Sequence, residues 1–174
     1  VGYGNNAGGV ASSAFGFSNV AKVDYASAFG YSNEASGLAS SAVGFRNKAA
    51  SENASAVGYG NNANALAASA VGYNNTAGGV GSSTIGYNNT ATNENASAFG
   101  YGNTAGGLAS SAFGFSNTAS GDNANAFGYN NIASGSKSNV FGTGNTVSGS
   151  SSTAVGTANE VAAENSTAIG NNNT

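Results

Sequence analysis

Five of the seven carboxylates in this chain recur at one position of a pattern. Asp24, Glu52, Glu94, Asp122 and Glu164 each stand eight residues after a glycine, separated from one another by 28 or 42 residues. Paired carboxylates can act as acid and nucleophile on a glycosidic bond, so their separation decides what they could do. If every fourteen residues make one coil of a stacked β-structure, neighbours in this row lie about 10–14 Å apart. That is too far for a retaining pair, and only the shorter spacing approaches the inverting range. A solvated acidic row is the better reading. Other chemistries lack their residues. The chain has no histidine and no cysteine, which excludes a Ser–His triad, histidine or thiolate metal sites, and disulfides. Gly8-Gly9, Gly78-Gly79 and Gly106-Gly107 are not followed by Lys-Ser or Lys-Thr, so they read as turns rather than phosphate loops. Calcium-binding β-rolls need regular Asp in their turns, and these are missing. The expectation is a protein that is not an enzyme and carries no cofactor or metal.

Charge narrows the partners. Four basic and seven acidic residues leave a net charge of −3. That argues against nucleic acid and against an anionic membrane surface. No run of about 18 apolar residues is present to span a bilayer. The chain starts at Val1 with no signal-peptide pattern, as an excised piece of something longer would. Few residues break its monotony. Lys22, Asp24 and Tyr25 stand out in the second repeat, Arg46 and Lys48 in the fourth. Together they form the candidate ligand-contact patch; the alternative is decoration that keeps a charge-poor surface soluble. Glu34 and Lys48 share a column in adjacent repeats and are placed for a surface ion pair, worth about 0–1 kcal/mol.

The elements that must carry these residues are set by a repeat. Gly2, Gly16, Gly30 and so on to Gly170 recur every 14 residues, thirteen times, with no insertion. The residue before each is Val, Phe or Ile. Two before it stands Ala, except at Thr84 and Val140, and three before it Ser, Thr or Asn. The residue after it is aromatic from Tyr3 to Tyr129, then Thr143, Thr157 and Asn171. Asn is invariant three after the glycine, from Asn5 to Asn173, and Ala or Val follows five after it. Only 27 of the 174 residues are Leu, Ile, Val or Phe, a level at which disorder is common. Disorder usually goes with high charge; here charge is scarce and the apolar residues are periodic.

Ala26-Ser27-Ala28-Phe29-Gly30-Tyr31 alternates large and small with a period of two, the signature of a strand. Ser32-Asn33 then reads as a turn, a second short extended segment falls around Ala35, and another turn near Ser36-Gly37. No Asn-Gly or Asp-Gly is present to make a tight hairpin. The reading is all-β: a parallel solenoid of 14-residue coils, each strand pairing with its copy one lap away, over a length of about 58 Å. Absence of proline fits an internal backbone ladder. The invariant asparagines either stack in a side-chain amide ladder or serve left-handed turn positions. Parity does not say which strand face lines the lumen. One face is apolar whichever way the coil closes, so the coil is expected to pack against copies of itself.

At this point the residues carry a resemblance. Asn165-Ser166-Thr167-Ala168-Ile169-Gly170 resembles the repeat motif of YadA-like head domains in trimeric autotransporter adhesins. Ala54-Ser55-Ala56-Val57-Gly58 and Ala96-Ser97-Ala98-Phe99-Gly100 are similar to the wider head-repeat pattern. The resemblance covers essentially the whole chain and makes residues 1–174 one repeat domain. It implies a left-handed parallel β-roll assembled as a homotrimer, displayed on a Gram-negative outer membrane and exposed at the bacterial cell surface. The implied function is attachment to host extracellular matrix proteins of the collagen, fibronectin or laminin class, or to a host cell receptor, together with autoaggregation. A structural spacer or self-association module in biofilm is the alternative.

Overall fold

A computed structural model describes residues Val1–Thr174, and they divide into two compact units, Val1–Asn88 and Asn89–Thr174. Both are built from one coil, and there is no helix in either. In the first unit, Gly2–Tyr3 is followed by the five-residue strands Ser13–Phe17, Ser27–Tyr31, Ser41–Phe45, Ser55–Tyr59, Ser69–Tyr73 and Ser83–Tyr87. They pair in parallel, each residue opposite its copy fourteen positions on, as Phe29 is opposite Val43. Two-residue strands, Val20–Ala21 and Glu34–Ala35 among them, form a second parallel sheet in the same register. The second unit repeats the plan. Its long strands run from Ser97–Tyr101 to Thr167–Asn171 and its short ones from Thr90–Ala91 to Glu160–Val161. The expected parallel β-roll of 14-residue coils is thus the observed one.

The face that parity left open is settled by size. The small residues point inward: Ala26, Ala28 and Ala35 are wholly buried, while Phe29 and Tyr31 keep 40% and 41% of their surface exposed. Fourteen residues, less two turns, leave a lumen that two facing methyl groups nearly fill. Larger inward residues are few; Val140 and Val147 share one coil, and Thr84 hydrogen-bonds the Ser69 carbonyl at 3.4 Å. The core of each unit is therefore mostly alanine. Each buried methyl contributes only about 0.8 kcal/mol, so polar ladders must supply much of the specificity.

The invariant asparagines supply one. Asn33 is buried, and its Nδ2 lies 2.9 Å from the Asn19 Oδ1, 2.9 Å from the Phe29 carbonyl and 2.6 Å from the Gly44 carbonyl. Its own Oδ1 accepts from the backbone N–H and the Nδ2 of Asn47, both at 3.0 Å. Each amide so satisfies backbone groups in its own coil and the next. The left-handed alternative belongs to the neighbour: φ is positive at Ser32, Arg46 and Asn74, one residue before each ladder asparagine. Glycine is required where the strands pass closest. A Cβ on Gly30 would sit 2.1 Å from the Gly44 carbonyl oxygen, at a φ of +119°.

Candidate functional site

The outward face of the long-strand sheet is the largest regular surface the coils create. Strand alternation places the residue before each consensus glycine and the residue after it side by side on this face. Both columns are exposed or half-buried, including Phe15, Val57 and Ile85 in one and Phe17, Tyr59 and Tyr101 in the other. The second column is a stack of rings. In the first unit Tyr31, Phe45, Tyr59, Tyr73 and Tyr87 follow one another at 4.8–4.9 Å between centroids, tilted by only 4–7°. In the second unit Tyr101, Phe115 and Tyr129 continue the arrangement at 4.8 and 5.2 Å. Their spacing is the coil rise, so the aromatic column is a direct product of register. Ring faces are covered by neighbouring rings, and ring edges and tyrosine hydroxyls point outward. Such a wall suits side-on packing better than stacking of a ligand ring.

The residues of the sequence-predicted patch fall on two corners of the coil. Lys22 lies in the bend after Val20–Ala21 and Asp24 and Tyr25 in the turn that leads into Ser27–Tyr31; all three are exposed. The Asp24 Oδ1 accepts a 2.7 Å hydrogen bond from the Val10 N–H, one coil earlier. Tyr25 has a φ of 60°, a strained conformation for so bulky a residue. Arg46 stands in the other turn, with its guanidinium 5.1 Å from the Phe45 ring centroid. Lys48 opens a short strand on the second sheet. It is the register neighbour of Glu34 as expected, but no ion pair forms between the two. Asp24 and Tyr25 thus share a turn that Lys22 leads into, while Arg46 and Lys48 flank Asn47 where a long strand passes into the next short one.

A row of side chains went unread in the sequence. The carboxylate column eight after the glycine also holds Val10, Leu38, Leu66, Val80 and Leu108, and all five are exposed at turn tips. They hold the same place in the repeat as the acidic residues, so a search of the whole column would have found them. Asp122 in this column accepts from the Leu108 N–H at 2.9 Å, as Asp24 does from Val10. These carboxylates cap the preceding turn. No group of three or more His, Cys, Asp or Glu side chains converges on a metal-sized space, and no helix is long and apolar enough to cross a membrane.

Comparison with known proteins bears on this surface directly. The YadA head domain repeat, taken two copies at a time, matches residues 7–33, 35–61, 49–75, 77–103, 105–131 and 148–173. No individual curated protein matches the chain.

Proposed function

Because the chain belongs to the YadA head domain family, we propose that this adhesin head works as a homotrimer at the bacterial cell surface, carried by an outer-membrane anchor. Head repeats of this family are non-catalytic adhesion modules. The proposed ligands are host extracellular matrix proteins of the collagen, fibronectin or laminin class, or a host cell receptor. One observation carries the reading: two exposed apolar columns run over successive coils of each unit with nothing in the chain to cover them. An apolar surface of that regularity is a site of association. Part of it is buried between copies, and the Ser-, Thr- and Asn-rich remainder meets the ligand. Lys22, Asp24 and Tyr25 are proposed to contribute from one corner of the coil, with Arg46 and Lys48 at another.

Sedimentation of the purified chain, followed by solid-phase capture on immobilised collagen, fibronectin and laminin, tests this. A trimer that binds at least one of them supports the reading. A trimer that binds none but associates with other trimers supports the spacer or biofilm role instead.

A further inference from the structure

Two sets of exposed apolar side chains lie at opposite edges of the long-strand sheet. The aromatic column borders the turn that follows each long strand. The column of Val10, Leu38, Leu66, Val80 and Leu108 borders the turn that precedes it, interspersed with Asp24, Glu52, Glu94 and Asp122. Side chains at opposite edges of one coil do not meet. Yet both columns lose their apolar members within the second unit. After Tyr129 the aromatic column continues as Thr143, Thr157 and Asn171; after Leu108 the turn column continues as Asp122, Ser136, Ser150 and Glu164.

We propose that the turn column of one copy packs on the aromatic column of the next copy, a head-to-tail contact that closes a ring. The proposal rests on the homo-oligomer reading above and says which surfaces meet. In a ring of copies with their long-strand sheets inward, one edge of each copy faces the opposite edge of its neighbour. A two-fold contact would instead set aromatic column against aromatic column. The vertical match follows from the repeat. Each turn residue comes seven positions, half a coil, after an aromatic, so at equal height it falls between two successive rings of the neighbour. Leu66 then meets the ring edges of Tyr59 and Tyr73 of the next copy, and Leu38 those of Tyr31 and Phe45. Two acidic members each reach one tyrosine hydroxyl: Glu52 that of Tyr59 and Asp122 that of Tyr129. A hydroxyl donating to a carboxylate is among the stronger neutral-to-charged hydrogen bonds. Ring faces are already covered by stacking, so the edges are the surface such a contact needs.

The absence of cysteine makes the test direct. Leu66→Cys and Tyr73→Cys are introduced together and singly, treated with a short bis-maleimide, and run under denaturing conditions. The pair Leu38→Cys and Tyr31→Cys is made in parallel, and circular dichroism is recorded for each to establish folding. The expected result is a covalent trimer from the double variants and monomer from every single one. Covalent dimers from Tyr73→Cys or Tyr31→Cys alone, or no cross-linking in double variants that retain the trimer mass, overturn the head-to-tail contact and leave the trimer standing. A monomeric parent chain removes the homo-oligomer reading itself, and this inference with it.

Discussion

At the scale of the residue, neighbouring asparagines do unlike work. Asn61 is buried, with its Nδ2 2.9 Å from the Val57 carbonyl and 2.6 Å from the Gly72 carbonyl, and with its Oδ1 accepting from the Asn75 N–H. Asn62 is half-buried on the short sheet and leaves its buried Oδ1 without a partner. Asn61→Ala strands buried backbone groups in two coils and is expected to cost about 2–4 kcal/mol. Asn62→Ala is expected to stay within about 0.5 kcal/mol. Urea unfolding of the two variants checks this, and equal losses would mean the amide ladder adds nothing beyond turn propensity. Tyr25 offers a test of opposite sign. Its φ of 60° costs an L-residue about 1–2 kcal/mol that glycine avoids. Tyr25→Gly should raise the unfolding midpoint, while any loss of ligand capture would show what that strain is kept for. The ladder asparagines were legible as a column of the repeat; the ladder itself was not, because turn chemistry and stacking place Asn at the same spacing.

At the scale of the element, the alternation of Ala98 and Phe99 shows where sequence reading stops. Period-two spacing puts them on opposite faces, which is enough to predict the strand and its parallel register. Which face is inside depends on the volume that fourteen residues can enclose, and that is a property of the closed coil. Ala98 is wholly buried and Phe99 is half-buried on the outer face. Ala98→Asp therefore places an unpaired carboxylate in the lumen, a change on the order of 3–5 kcal/mol, with loss of β-signal in circular dichroism. Phe99→Asp leaves its charge hydrated in the single chain. It should keep the β-spectrum and act on the assembly, lowering the sedimenting mass. Loss of fold in Phe99→Asp at a concentration where the parent is monomeric would contradict the outward placement. The candidate patch was legible only as an interruption of the repeat: Lys22 leads into the turn at Asp24 and Tyr25, and Arg46 and Lys48 flank Asn47.

At the scale of the whole molecule, binding is expected to come from number rather than from any one contact. The side chains left outside the contact between copies are repeated small polar groups, with few charges among them. A ligand meeting one coil gains little; a ligand or matrix presenting many sites meets the same contact again on the next coil and on the next copy. Linking weak sites in this way can raise apparent affinity by about 10²–10⁴ without a new interaction. A monomeric form, such as Phe99→Asp if it lowers the mass as expected, should then lose most of its capture on a matrix-coated surface while keeping its fold. Salt gives the second arm of the measurement. With a net charge of −3 there is little for ions to screen, so raising ionic strength from about 0.01 M to 1 M, which shortens the Debye length from about 30 Å to 3 Å, should barely change capture. Capture that collapses with salt, or that Tyr25→Ala alone abolishes, would move the site from the distributed surface to the charged turn at Lys22, Asp24 and Tyr25.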